Sequence, residues 1–358
     1  MYDYNVPFVL EEVTLRSPGD DQVIVRIAAT GICHTDLSVR KAALPYPPPA
    51  VIGHEGAGVV EEVGRGVKHL HPGDHVVLSS ITTCGHCPYC RSGHPHLCES
   101  GIQTAMAGEQ IAFEKAGAPI GHFCGLGTFA TRTLVHASQA IPIDPSIPLD
   151  RACLVACSVV TGVGAVINTA QVRPGETVAV FGCGGIGLNV IQGAALSGAA
   201  RILAIDVADK KLEAAKLFGA TDTLNVSGIS ESCDEVRAMT AGLGVDYAFE
   251  AIGSPDVMRQ AFLSVRRGGK VVVVGVAGFG VDVSLPACLF SLEERSIIGS
   301  LYGSANMARD VPRLLSLYQQ GRLKLDPLIT ERLTLDQIND GFDSMASGRT
   351  LRSVIVMT

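Results

Sequence analysis

A run of aliphatic residues ending in a glycine-rich turn limits the second half of this chain to very few folds. Residues 177–181 read TVAVF; Gly182-Cys-Gly184-Gly185-Ile186-Gly187 follows at once and leads into a helical pattern over residues 186–197. A strand that enters a helix through G-x-G-x-x-G uses the glycines for a tight turn and close backbone approach. The helix N-terminus then faces an anion such as a pyrophosphate. The alternation continues, with strand patterns at residues 201–205, 222–226, 246–249, 270–274 and 296–299 and helical patterns at 210–218, 231–241 and 256–265. Val/Ile-rich strands separated by helices specify a parallel sheet covered on both faces, a doubly wound α/β domain. Asp206 closes the second strand, nineteen residues beyond Gly187. A carboxylate there accepts hydrogen bonds from a ribose 2′-hydroxyl and repels a 2′-phosphate, which favours NAD over NADP. A flavin or another nucleotide is the alternative occupant of the same fold.

The first 150 residues are different in kind. Short β-type runs such as 22–28 and 73–78 are punctuated by Gly and Pro, the pattern of an antiparallel, partly barrel-like domain. The segment 42–50 (AALPYPPPA) cannot hold regular structure. After residue 305 come amphipathic helical patterns at 306–320 and 336–346 and a last strand at 352–357. A length of 358 residues exceeds one small core, and 47% hydrophobic against 18% charged residues excludes disorder. The net charge of −7 argues against a nucleic-acid surface. Residues 152–172 and 177–200 carry no formal charge and exceed the roughly 18 residues that flag a membrane span. Glycine and polar side chains interrupt both runs, and strand–turn–helix accounts for the second, so no span is expected. The first thirty residues lack a basic segment followed by an apolar core, and the expected compartment is the cytoplasm.

Eleven cysteines in such a chain point to metal or catalysis rather than disulfides. Cys84-Gly-His-Cys87-Pro-Tyr-Cys90, with Cys98 close behind, can surround Zn²⁺ tetrahedrally with four thiolates. Four sulfurs leave no open position, so this would be a structural site. A nucleic-acid zinc ribbon is disfavoured because the segment is not basic. A second group is dispersed: Cys33 in GICHTD, His54 in GHEGAG and Cys157 in LVACSVVT. Singly each reads as a packed core residue. Together, two thiolates and an imidazole would bind Zn²⁺ and leave a fourth position for water or substrate. All ten histidines fall between His34 and His136.

These three constellations, in this order, resemble the zinc-dependent alcohol dehydrogenases of the medium-chain dehydrogenase/reductase family, along essentially the whole chain from Phe8 onward. The resemblance implies a GroES-like, mostly-β catalytic domain (residues 1–158 and 302–358, with a structural-zinc lobe at about 80–100) and a Rossmann NAD-binding domain (159–301). It implies one catalytic zinc on Cys33, His54 and Cys157 and one structural zinc on Cys84, Cys87, Cys90 and Cys98. Thr35 matches the hydroxyl that takes the substrate proton. Glu55 and Asp36 match acids beside the catalytic zinc. His34 and Arg352 match positions near the coenzyme pyrophosphate, Lys211 one near the adenosine ribose, and Thr161 one against the nicotinamide. Val274, Ser300 and Tyr302 match backbone contacts to the carboxamide, with Val276 beside them.

The activity implied is reversible oxidation of a primary alcohol to an aldehyde with hydride transfer to NAD. A homodimer or homotetramer with no nucleic-acid or membrane partner is implied as well. The matched pocket positions are Ser80, Phe123, Cys124 and Leu301, with Val276 near them. Ser80 stands where the family often has a bulky aromatic, which predicts room for medium-chain, allylic or aryl alcohols. Two features depart from the family. Ser38 replaces a frequent proton-relay histidine, so the relay would run through His34, the ribose and water, or be slower. The usual first strand before Pro7-Phe8 is missing or replaced by MYDYNV. One alternative is a thiol-dependent formaldehyde dehydrogenase or S-nitrosothiol reductase, against which the segment 103–115 shows no basic cluster. An alternative of another class is a non-enzymatic NAD- and zinc-binding protein. Cys153, Cys183, Cys233 and Cys288 are expected to be small packed side chains.

Overall fold

A computed structural model describes residues 1–107 and 111–357. The chain divides into two compact units, Met1–Cys157 with Asn306–Thr358 and Ser158–Ala305.

The first unit is built on a seven-stranded sheet. Its path runs Ile329–Leu333, Arg352–Val356, Gln22–Gly31, Glu55–Val63, His75–Leu78 and Ala140–Pro142, with Arg132–His136 also paired to Gln22–Gly31. Neighbours are antiparallel except the first two, which run parallel. Val23, Val25 and Ile27 alternate along the longest strand and bury with Val60, Val76 and Leu78 into one core, as the period of two in a strand requires. A smaller sheet, ordered Thr14–Leu15, Ile111–Lys115, Ala118–His122 and Ala50–Val51, covers Ile24, Phe113, Ile120 and Leu134. Residues 1–13 form no strand. The Met1 ammonium donates to Ala50 O at 2.9 Å, and Ala50 N donates back to Met1 O.

The second unit carries six parallel strands in the order Asp222–Asn225, Arg201–Asp206, Thr177–Phe181, Val245–Glu250, Val265–Val273 and Ser296–Gly299. Helices Gly185–Leu196, Asp209–Phe218, Ser232–Met239 and Pro255–Ser264 connect them. The order reverses beside Thr177–Phe181, and the carboxyl ends there bring Gly182, Asp206 and Glu250 to one edge of the sheet. Ligands of open parallel sheets bind at such a switch point.

Most elements lie within a residue or two of the sequence patterns. The fifth strand begins at Val265 rather than 270, because wholly buried Val265 pairs with Val245 across a bulge that the Arg-Arg-Gly-Gly run conceals. Strand Ile329–Leu333 and helix Glu99–Ala107 are not evident from the sequence pattern. Cys288 is a correction: it is exposed, because its short helix Cys288–Leu292 turns Leu289 toward the core instead. Among the described residues no single helix is long and apolar enough to cross a membrane.

Candidate functional site

In the first unit, Cys33, His54 and Cys157 bring their ligand atoms within 4.8 Å of one another. Cys33 follows strand Gln22–Gly31 and caps helix His34–Arg40. His54 follows Gly53, whose φ of +97° and crowding both demand glycine: a Cβ would lie 2.6 Å from Thr128 Oγ1 and 2.8 Å from the Phe129 ring. Cys157 follows the wholly buried stretch Cys153–Ala156. Asp36, itself wholly buried, orients two of the three ligands. Its Oδ1 accepts from His54 Nδ1 at 2.9 Å, and its Oδ2 accepts the Cys33 backbone N–H at 3.2 Å. The bond at Nδ1 leaves Nε2 with the lone pair a metal needs.

Burial alone would lower the His54 pKa, but Asp36 and the Cys33 sulfur outweigh it and hold the imidazole well above its ordinary value. A hydrogen bond from Cys157 holds Cys33 well below the usual thiol range, and the same bond pushes Cys157 up. The bond thus favours thiolate, the form that binds metal, at Cys33, and leaves its proton on Cys157. Two sulfurs, one imidazole and a carboxylate behind the imidazole fit Zn²⁺ with one position left over. Glu55, also buried, is pushed up to about 7 by burial, against the pull of Arg352. Arg352 Nη2 donates to Glu55 Oε2 from 297 residues away. Gly31 makes room for this pair, since a Cβ there would lie 2.1 Å from Glu55 Oε2. Thr35 Oγ1 lies 3.7 Å from Cys33 Sγ, and His34 beside it is exposed.

The walls near His54 include three of the residues singled out in the sequence. Ser80 Oγ lies 3.5 Å from His54 O. The Phe123 ring meets the His54 ring edge-on, centroids 5.6 Å apart. Cys124 stands at φ +57°, its thiol pushed up to about 12 by burial. Gln139 gives no signal in the sequence, being an amide next to Ser138 in ASQAIPI. It is wholly buried, and its Nε2 donates to Ser79 O and Cys124 O at 3.0 and 2.9 Å, tying the 79–80 and 123–124 segments together.

The four-cysteine loop also closes on itself, with its sulfurs within 4.8 Å of one another. Backbone N–H groups of Cys84, Cys87 and Cys90 donate to the sulfurs of Cys98, Cys84 and Cys87 at 3.3–3.5 Å. Backbone donors lower Cys84 to about 6 and also lower Cys87. N–H groups aimed at sulfur favour thiolates, and four at this spacing fit a closed tetrahedral zinc.

The second unit holds the remaining candidates. Gly182 has φ +92°, and a Cβ on it would strike Ile252 at 2.6 Å; a Cβ on Gly187 would lie 1.7 Å from Gly182 O. Gly184 is different: a Cβ would meet nothing within 4 Å, leaving open space at the N-terminus of helix Gly185–Leu196, whose first turn holds Gly185 and Ile186. Asp206 Oδ2 accepts from Cys183 N at 2.8 Å, and Oδ1 accepts from Val207 N and Ala208 N. Lys211 Nζ stands 3.7 Å from Asp206. Val274 N donates to Glu250 O, and Ser300 N to Val273 O. Tyr302 is buried, whereas Val276 and Leu301 are 78% and 47% exposed. Thr161 Oγ1 is buried with no partner among the described residues. An open anion cradle and an orphaned hydroxyl in the same unit fit a dinucleotide.

The comparisons with known proteins agree with these two centres. The family described as alcohol dehydrogenase GroES-like domain matches residues 19–145, and the zinc-binding dehydrogenase family matches residues 185–320. S-(hydroxymethyl)glutathione dehydrogenase of Escherichia coli is 40% identical over 98% of this chain and 96% of its own length. The NDMA-dependent alcohol dehydrogenase of Amycolatopsis methanolica is 39% identical over 98% of this chain and 95% of its own. The crystal structure of benzyl alcohol dehydrogenase from Acinetobacter calcoaceticus superposes with a TM-score of 0.91 at 33% identity, covering 97% of this chain and 94% of that one. With both family patterns matched and its zinc-ligand clusters and glycine turn intact, the chain belongs to the zinc-dependent alcohol dehydrogenases of the medium-chain dehydrogenase/reductase family.

Proposed function

We propose that this chain oxidises primary alcohols, of medium chain length or with allylic or aryl groups, reversibly to aldehydes with NAD as hydride acceptor. The observation that carries this reading is the Cys33–His54–Cys157 donor set with the Thr35 hydroxyl 3.7 Å from one of its sulfurs. When bound, zinc there supplies a Lewis acid that lowers the pKa of an alcohol, and NAD⁺ supplies the hydride acceptor. The residues of the chain bind, orient and move the proton. Thr35 Oγ1 accepts the proton of the substrate hydroxyl while passing its own toward solvent by way of His34, the role left open by Ser38. Asp36 holds the His54 ring in one orientation. Arg352 pairs with the Glu55 carboxylate, so these two buried charges offset each other beside the donor set. The Asp206 carboxylate supports NAD over NADP by repelling a 2′-phosphate.

Ser80 next to His54 O supports a pocket wide enough for bulky primary alcohols, and the likeness to a benzyl alcohol dehydrogenase supports the aryl class. A panel of primary alcohols with NAD⁺, read by NADH absorbance with and without a zinc chelator, tests the reading. Benzyl, cinnamyl or hexanol-type alcohols should lead and the chelator should abolish turnover. Ethanol leading by far would overturn the substrate class.

The likeness to S-(hydroxymethyl)glutathione dehydrogenase favours a second reading, oxidation of a thiol–formaldehyde adduct. In the segment 103–115 the basic residue is Lys115, which pairs with Glu11, and residues 108–110 lie outside the described residues. Formaldehyde turnover that requires an added low-molecular-weight thiol would establish that reading over the first.

A further inference from the structure

In the second unit, the segment after strand Ser296–Gly299 makes a turn that a chain of L-residues does not adopt freely. Tyr302, Gly303 and Ser304 have φ of +55°, +65° and +48° in succession. A bulky residue in the left-handed region is uncommon, and such a conformation persists only where its surroundings enforce it. Strain of this sort, held by neighbours, collects where backbone groups must present themselves to a ligand.

The enforcing element is the helix Ser158–Gly164, which widens into a π-helical segment, Ala165–Ala170. π-Segments inside helices recur at functional sites. Two consecutive residues of this one reach the turn. Thr169 Oγ1 lies 2.8 Å from Ser300 Oγ and 2.7 Å from Ser304 Oγ, so one hydroxyl joins the residue two positions before the strained stretch to its last residue. Asn168 Nδ2 donates to Gly303 O at 3.1 Å, in its middle. The backbones approach as closely as they can: a Cβ on Gly164 would lie 2.5 Å from Gly303 O, and one on Gly303 would lie 2.3 Å from Val160 O. The start of the turn is tied to the sheet by Ser300 N donating to Val273 O.

We propose that Thr169 is a positioning residue for the nicotinamide end of the coenzyme, acting through the turn 300–304. The inference rests on the NAD reading above, in which Ser300 and Tyr302 offer backbone groups to the nicotinamide carboxamide. A carboxamide presents one acceptor and a two-hydrogen donor in a plane. It is held well only where the matching backbone groups keep a fixed spacing, and a single hydroxyl bonded to Ser300 and Ser304 fixes it. Thr169 touches neither substrate nor the reacting carbon; it sets the shape of what does.

The test compares NADH with ADP-ribose, which shares every part of the coenzyme except the nicotinamide. Thr169→Val keeps shape and removes the hydroxyl. NADH affinity, read by its fluorescence, should fall about tenfold, the loss of roughly one well-made hydrogen bond. ADP-ribose affinity, zinc content and melting temperature should stay at the parent values. KM for NAD⁺ should rise more than kcat falls. Thr169→Ser should restore NADH binding to within about threefold, and Ser304→Ala should reproduce the loss if Thr169→Val folds poorly. Unchanged NADH affinity, or equal losses for NADH and ADP-ribose, would overturn the inference while leaving the coenzyme reading intact. A parent protein that binds neither compound would overturn the coenzyme reading and this inference with it.

Discussion

The two units bring distant polar groups to a point in opposite ways. The second unit does so locally: each strand of its parallel sheet delivers a residue to the carboxyl edge, and Gly182, Asp206 and Glu250 meet there because neighbouring strands end together. The first unit gathers Cys33, His54 and Cys157 from separate segments, and both metal-ligand clusters among the described residues belong to it. The lesson is a division of labour in what holds each part. The first unit gathers donor groups that suit a metal, and the second gathers glycines and backbone groups along one edge of its sheet.

Exchanging His54 for Ala should break the first unit's chemistry and spare the second unit. Loss of one ligand from a Lewis-acid site forfeits several kcal/mol of transition-state stabilisation, so turnover should drop by about 10³-fold or more. One zinc per chain should remain and NADH should still bind. Two zincs with near-parent turnover would reassign the two clusters. Gly184→Val is the mirror experiment. The backbone at Gly184 has φ of −80° and open space around a Cβ, so the variant should fold, keep two zincs and lose NADH affinity about 100-fold by filling the pyrophosphate cradle. Parent-like NADH binding would show that the coenzyme lies elsewhere.

Cys98→Ser divides the first unit against itself. Cys98 is wholly buried and completes the closed cluster. Removing it should release that zinc and lower the melting temperature by roughly 5–10 °C, with turnover of the surviving protein within about tenfold of the parent. Lost turnover with an unchanged melting curve would reverse the roles of the two clusters.

The same contrast explains what the sequence discloses. The glycine turn and the four-cysteine loop are short-range patterns, in which turn geometry and tetrahedral coordination need nearby residues, and both stand in the structure at the same positions. Cys33, His54 and Cys157 could be joined only by resemblance, because none of them is near another in the chain. The supports of that centre leave still less trace. Glu55 and Arg352 form a buried pair across 297 residues, and Gly31 must be glycine only because Glu55 Oε2 lies over it. Gln139 follows Ser138 and Thr169 follows Asn168, short polar pairs that match no motif; their meaning comes from the carbonyls and hydroxyls that folding brings to them.

The smallest expected effect belongs to the second unit alone and asks whether its stability is independent of metal. Asp246 is the second residue of strand Val245–Glu250 there; its Oδ2 accepts from Thr177 N and Oγ1, both at 2.7 Å, and its Oδ1 accepts from Arg266 Nε at 2.6 Å. Burial would raise its pKa, but the Thr177 and Arg266 donors outweigh it and hold the carboxyl below the ordinary 3.8. A carboxylate favoured in the folded state stabilises it fully above the unfolded pKa, and the stabilisation fades as pH falls through the lowered folded value. Asp246→Asn keeps an acceptor for Thr177 and loses the charged partner of Arg266, a cost of about 1 kcal/mol at neutral pH. That difference should shrink as the pH is taken below 3.8 and should be the same with zinc present or chelated, measured by denaturant unfolding of parent and variant. A difference that stays constant with pH would remove the charge from the explanation. One that vanishes on chelation would mean that the second unit, too, draws its stability from the metal of the first.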